Sequence, residues 1–262
     1  MINETNHKTY ANQGIVKHYA QLKQLQPAEE TIIDLLGDRL STMKMLDIGV
    51  GGGRTTQHFS KLVAEYIGID YSAEMIAESQ RRFANFSQPV SLEVCDVRDM
   101  SRFPDNSFDF ILFSFNGVDY ISHQDRLQVF QEIYRVGKSG GYFCFSTHNL
   151  QGIEKAFDWQ NQLSFNPLTS YVNLVMWGIM RLFNPSTNLK QIKASGYAIL
   201  RDESHNFRLQ TYYVRPEEQI KQLKANFRDI KVYSWKNGLE LTSQSDLCSN
   251  TDMWLYYLCA IA

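Results

Sequence analysis

Three carboxylates at regular intervals, each closing a short apolar run, are the residues of this chain best placed to do chemistry. Met45-Leu46-Asp47-Ile48 opens into Gly49-Val50-Gly51-Gly52-Gly53; Tyr66-Ile67-Gly68-Ile69 ends on Asp70; Leu92-Glu93-Val94-Cys95 ends on Asp96. If these runs are successive parallel strands, the three acids face one crevice, because ligands in open α/β sheets bind beyond the carboxyl ends of the strands. The glycines let backbone turn sharply and approach a ligand, and a helix starting near Arg54 offers unpaired N–H groups. Such a site suits a nucleotide-type cofactor rich in hydrogen-bond donors.

An acid followed by G-x-G-x-G is the first motif of the class I S-adenosylmethionine-dependent methyltransferases, and Asp47, Gly49, Gly51 and Gly53 match it position for position. Over residues 43 to 148 the chain resembles that family. The resemblance implies S-adenosylmethionine as cofactor and S-adenosylhomocysteine as product. It implies that Asp47 lies near the methionine ammonium through backbone or water contacts and that Asp70 holds both ribose hydroxyls. Asp96 would accept from the adenine amino group, with the Val97 N–H on a ring nitrogen. Tyr71 and Met75 belong to the same cofactor set. The tail of the fourth strand would bring Ser114 and Phe115 to the methionine half and leave Asn116 and Tyr120 for the acceptor. Helices within residues 1–40 would cap the cofactor, closing Tyr10 and Tyr19 over it.

A dinucleotide-binding Rossmann domain also carries an acid about 20 residues past its glycines. Its G-x-G-x-x-G pattern from Gly49 needs glycine or alanine at position 54, where Arg54 stands. A pyrophosphate on the helix start would also lie close to Asp47, whereas a cationic amino acid tail tolerates that charge. A nicotinamide-dependent oxidoreductase is therefore the second reading, and a non-catalytic S-adenosylmethionine-binding protein the third.

Methyl transfer from a sulfonium is an in-line displacement on an activated carbon, so the protein chiefly orients the nucleophile and excludes water. The acceptor must lose a proton, for which a histidine or carboxylate is the usual candidate. His148, in Thr147-His148-Asn149 after the fifth strand, is the first candidate base; His205, where the chain returns from a long insertion, is the second. Asp119 reads as a helix opener. Asn116 lacks the N-P-P-Y pattern of enzymes that methylate base amines or glutamine amides. The expected acceptor is a small molecule, taking the methyl group on oxygen or nitrogen.

The elements that must position these groups follow from periodicity. Apolar runs at 43–48, 66–70, 89–95, 108–114 and 142–147 read as strands. Segments 54–64, 72–83 and 125–136 between them have helical spacing, and 15–26 reads as a short helix ahead of Pro27. A helix from Pro216 and strands at 229–235 and 253–261 complete an α/β, doubly wound, mainly parallel sheet of seven strands. The family resemblance implies the order 3-2-1-4-5-7-6 with the last strand antiparallel. Residues 149–206 exceed that core and read as a helical insertion without strong strands. Within it, Tyr171, Met176, Trp177, Met180 and Phe183 recur at helical spacing and are expected to form an acceptor lid over the crevice, with Trp177 in contact with the acceptor.

The 262 residues are 44% hydrophobic and 13% aromatic, enough for one domain with a sizeable core. A formal net charge of −2 leaves no excess of cation to neutralise phosphates, so no nucleic acid partner is expected. Four cysteines without a C-x-x-C pair read as reduced thiols, and six histidines without an i, i+4 pair give no metal site. The N-terminus is polar and no run of about 18 apolar residues occurs, which argues against stable membrane insertion and for a cytoplasmic protein, monomer or homodimer.

Overall fold

Alternation within the strands explains the architecture. In the computed structural model, which describes Tyr19, residues 21–86 and 88–262 with the side chains of Ser204 and His205 set aside, β1 (Lys44–Ile48) sends Met45 to one face and Leu46 and Ile48 to the other. The strands β4 (Phe108–Phe113) and β5 (Gly137–Asn149) do the same: Phe110, Leu112 and Cys144 join Met45, while Ile111, Phe143 and Phe145 join Leu46. Because successive side chains point to opposite faces, a continuous apolar strand is buried only when both faces are covered. Ile32 and Leu36 of α1 (Pro27–Leu36) help to cover the first face. Val129, Phe130 and Ile133 of α4 (His123–Val136) help to cover the second.

Strands β2 (Glu65–Asp70) and β3 (Ser91–Val94) extend the parallel sheet beyond β1, with α2 (Thr56–Phe59) and α3 (Ala73–Phe83) as the connecting helices. On the other edge β5 pairs antiparallel with β9 (Trp254–Ile261), which pairs antiparallel with β8 (Phe227–Ser234). The family order 3-2-1-4-5-7-6 is thus present, with β8 and β9 as its sixth and seventh strands.

Several boundaries differ from the sequence reading. Residues 22–26 are not helical. The helix expected over 54–64 is a single turn, since Thr55, Thr56 and His58 have little helix propensity beside a glycine-rich turn. Gly137–Gly141 does not merely end a helix but starts β5 as a bulged segment, with a register shift between Phe108 and Phe110. The insertion is not purely helical either. It holds α5 (Leu150–Phe157), α6 (Pro167–Phe183) and α7 (Leu189–Ala194), but also β6 (Tyr197–Leu200), which forms an antiparallel pair with β7 (Thr211–Val214). Beyond the end of β4, β7 takes over its edge of β5, so His148 has Tyr213 as partner on one side and Trp254 on the other. Among the described residues no helix is long and apolar enough to cross a membrane.

One buried ion pair ties the first helix to the glycine loop. Glu29, 1% exposed, receives both Arg54 Nη atoms at 2.6 Å in a fork, and the Ser114 and Tyr256 hydroxyls also donate to it. Removing one partner of such a pair leaves an uncompensated buried charge. We expect Glu29→Ala to lower stability by about 3–5 kcal/mol in urea unfolding. A loss below about 1 kcal/mol, the range of a solvated pair, would show that the fork does not organise the fold.

Candidate active site

A cavity opens at the carboxyl ends of β1, β2 and β4, and its walls contain the residues singled out from sequence. Asp47, Gly49, Gly51, Asp70, Tyr71, Met75, Asp96, Val97, Ser114 and Phe115 line it, with Tyr19 over it from the N-terminal side and Tyr120 at its rim. Tyr10 lies outside the described residues; of the N-terminal cap expected within 1–40, Tyr19 and Leu22 line the cavity. Sequence reasoning did not select Thr55, Ile69, Cys95, Phe113 or Ile121, which also line it; Ile69, Cys95 and Phe113 lie at strand ends, while Thr55 and Ile121 carry no signal of their own.

The glycines serve two different ends. Gly51 has φ +51°, a conformation that L side chains rarely adopt, and its N–H donates to Asp70 Oδ2 at 2.9 Å. Gly53, with φ +80°, is required by packing: a Cβ there would stand 2.3 Å from a ring carbon of Phe83. Arg54, the residue that departs from the dinucleotide pattern, is engaged by Glu29 and lies 5.0 Å from the centre of the Phe115 ring.

The carboxylates are held for different tasks. Asp70 accepts from the Gly51 N–H and the Ser72 N–H, each at 2.9 Å; two oxygens with about four lone pairs can still accept from two more donors. Burial raises its carboxyl to about 6. Asp47 accepts from Thr55 Oγ1 and Tyr66 Oη, both at 2.6 Å, and burial raises it to about 7, against the lowering effect of these bonds. A carboxyl so desolvated at a cavity wall is ionised by a cation placed beside it, which fits an amino acid tail bearing an ammonium. Asp96 is held by the Arg98 guanidinium, and its carboxyl lies below the ordinary range despite the opposing effect of burial. The cavity residues fit a nucleoside carrying an amino acid: an acceptor for two hydroxyls, an acid and an N–H at the far end, and an acid for a cationic tail.

Two of the acceptor residues expected from sequence do not line this cavity. Phe115 and Asn116 both take positive φ, 60° and 62°, and this double left-handed turn puts the Phe115 ring in the cavity wall while Asn116 is buried, its N–H on Ser146 Oγ at 2.8 Å. Trp177 is absent from the lining too. Its indole N–H donates to the Phe157 carbonyl at 3.3 Å, and Met176 and Met180 of the same helix pack with Ile153. The insertion helix therefore covers α5 rather than the cofactor crevice, leaving Leu168 and Tyr171 exposed. Periodicity defines an apolar face but does not say which partner it meets. His205 lies in the turn Ser204–Phe207, its side chain outside the described residues.

His148 sits outside the cavity lining, at the end of β5, and here the structure supplies a residue that sequence reasoning passed over. Asp119, 1% exposed, accepts at Oδ2 from both the backbone N–H and Nδ1 of His148, each at 2.7 Å. Its Oδ1 accepts from Arg126 Nη1 at 2.7 Å and Thr147 Oγ1 at 2.6 Å. The signal in the sequence, an acid shortly after a strand tail, is too common to stand out.

Comparison with known proteins agrees with the cavity. Residues 45–141 match the model of a methyltransferase domain family. This segment is similar to a methyltransferase domain, and the whole chain has the fold of S-adenosylmethionine-dependent methyltransferases of known structure. It is 32% identical over 117 residues to the mitochondrial ubiquinone biosynthesis O-methyltransferase of Rattus norvegicus, covering 43% of this chain and 33% of that protein. It is 30% identical over 148 residues to ajmaline N-methyltransferase of Rauvolfia serpentina, covering 50% of each, and 34% identical over 102 residues to the ubiquinone/menaquinone biosynthesis C-methyltransferase of Desulfotalea psychrophila, covering 37% and 38%. The chain thus spans half or less of each of these relatives. Among solved structures, an S-adenosylmethionine-dependent methyltransferase from Mesorhizobium loti superposes with a TM-score of 0.59 at 15% identity, covering 89% of this chain and 97% of that one. A toxoflavin-precursor N1-methyltransferase from Burkholderia thailandensis, solved with its substrate and S-adenosylhomocysteine, gives 0.54 at 14% identity, covering 90% and 77%. At these identities the likeness concerns the fold.

Two outcomes follow for this cavity. Asp70→Ala should weaken S-adenosylhomocysteine binding by roughly 2–3 kcal/mol in calorimetry, since a charged acceptor is lost from two hydroxyls; unchanged affinity would remove Asp70 from the site. Asp70 and Asp47 bind protons more tightly folded than unfolded, so the stability these two groups contribute to the free protein is lost as pH rises through about 6 to 7. Ligand donors favour the ionised Asp70, so S-adenosylhomocysteine affinity should rise from pH 5 to 7 with proton release near pH 6, and a flat profile would contradict this.

Proposed function

We propose that the chain transfers a methyl group from S-adenosylmethionine to an oxygen or nitrogen of a small-molecule acceptor, with His148 as general base. When bound, the cofactor supplies a methyl carbon already activated on a sulfonium. What remains for the chain is to orient the acceptor, exclude water and remove a proton.

In this reading Asp70 accepts from the ribose hydroxyls, Asp96 and the Val97 N–H take the adenine edge, Asp47 faces the cationic tail, and Tyr19 closes the near side. Tyr71, Met75, Ser114 and Phe115 complete the walls.

The observation that carries the proposal is the pair of Asp119 with His148. With Nδ1–H donated to a carboxylate, the imidazole keeps its lone pair on Nε2, the atom that would take the proton. Arg126, fully buried, and Thr147 hold Asp119 in turn. Asp119 is thus a positioning residue: it fixes the tautomer and stabilises the imidazolium that forms when the proton is taken. The imidazole ring is 6.1 Å from that of Trp254, and Trp254 is 6.3 Å from Phe115 in the cofactor wall.

His148→Asn should lower kcat by roughly 10²–10⁴-fold across a panel of phenols and amines followed by S-adenosylhomocysteine release, with unchanged affinity for S-adenosylhomocysteine. Wild-type turnover by His148→Asn would sink the base assignment, and tight cofactor binding with no turnover on any acceptor would favour a non-catalytic role.

A further inference from the structure

The insertion helix α6 carries two apolar faces, and the fold uses one of them. Its inner face is fixed: the Trp177 indole donates to the Phe157 carbonyl, and Met176 and Met180 pack with Ile153. On the side turned from α5, Leu168, Tyr171, Val172, Val175 and Leu182 recur at helical spacing as one stripe. All five are exposed, Leu168 by 70%, Tyr171 by 66% and Leu182 by 75%. The approach to the helix exposes Trp159, Leu163 and Phe165 as well. A helix that is apolar all round meets apolar surroundings on both sides.

The distribution of charge selects those surroundings. From Trp159 to Met180 there is no charged side chain, and from Trp159 to Arg201 there is no acid, although the chain has 28 acids against 26 lysines and arginines. The same stretch holds four cations, Arg181, Lys190, Lys193 and Arg201. Lys190 and Lys193 are exposed on α7, which follows α6, and among the described residues no ion pair engages them or Arg181. An uncharged apolar face followed by cations without acids suits a helix lying in the interface of an anionic bilayer, where aromatic rings take the headgroup level and basic side chains reach the lipid phosphates. A second copy fits less well. A twofold pair would set this segment against itself with no acid to answer its cations, and a face about 26 Å long and about 10 Å wide falls well short of the roughly 800 Å² per partner that a stable interface buries. Residues 1–18 offer little cover either, since Met1, Ile2, Tyr10, Ile15 and Val16 are their only large apolar side chains.

We propose that α6 is a docking face for an anionic lipid surface, on which it lies flat with its exposed stripe among the upper acyl chains and the cations of α6 and α7 at the headgroups. The helix rests on the bilayer without crossing it: its 17 residues are fewer than the roughly 20 that a span requires, and its inner face stays on α5. Docking of this kind is independent of the chemistry at His148.

The test is co-sedimentation of the full chain with vesicles of phosphatidylcholine alone and of phosphatidylcholine with about 30% phosphatidylserine. The chain should bind the anionic vesicles at least about ten-fold better than the neutral ones, and raising salt from about 0.1 M to about 0.5 M should cut that preference several-fold. Val172→Glu combined with Leu182→Glu, both at exposed positions, should weaken binding to anionic vesicles at least about ten-fold while circular dichroism and S-adenosylhomocysteine affinity stay unchanged. Lys190→Glu combined with Lys193→Glu should remove the preference for anionic vesicles, and this pair decides the matter if the first does not fold. No sedimentation with anionic vesicles, or binding kept by either double variant, would overturn the proposal. So would a dimer in lipid-free sedimentation velocity that Val172→Glu with Leu182→Glu dissociates, since the face would then belong to a second copy.

Discussion

The buried fork between Glu29 and Arg54 is the contact on which the cofactor side of this molecule depends. Two charges removed from water are tolerable only when each satisfies the other in good geometry. Here the carboxylate serves four elements at once: α1, the segment after the glycines, the tail of β4 through Ser114, and β9 through Tyr256. Arg54 also lies over the Phe115 ring, so the residue that turns the β4 tail into the cavity wall is held by the same cation. The glycine loop is shaped by backbone freedom but positioned by this pair.

Around it the site keeps unfavourable electrostatics that a ligand relieves. Asp47 and Asp70 are buried at strand ends where neither meets a cation directly, and both are harder to ionise than a solvated carboxyl. Preorganised acceptors in a dry cavity cost the free protein stability and return it as affinity when donors or a positive charge arrive. The double left-handed turn at Phe115 and Asn116 belongs to the same pattern, since strained backbone persists where surrounding contacts determine it.

The surroundings of His148 are built differently, by a graft on the edge of the sheet. Where β4 stops, the pair β6–β7 takes its place against the last residues of β5, so His148 is flanked on both sides instead of lying at an open edge. That addition brings Tyr213 next to the imidazole, its hydroxyl donating to Asp202, and it lies in the stretch around the insertion. The segment that matches a methyltransferase domain, residues 45–141, ends before this graft begins.

What the sequence by itself determined was local. Apolar runs ending in acids, a glycine pattern and turn residues mark strand ends and a backbone that approaches a ligand; these signals lie within a few residues of one another, and the cofactor-site residues chosen from them all line one cavity. Glu29 and Asp119 carried no comparable signal. Each reads as an ordinary acid near a helix start, and only the chain path brings Glu29 to Arg54, 25 positions on, and Asp119 to His148, 29 positions on. The apolar insertion helix shows the converse limit: its spacing fixed a face, but its partner is α5 rather than the crevice, because packing chooses among all apolar surfaces in reach. Tertiary structure decided which charges pair and which faces meet, since the energy of burying either depends on neighbours that are distant in the chain.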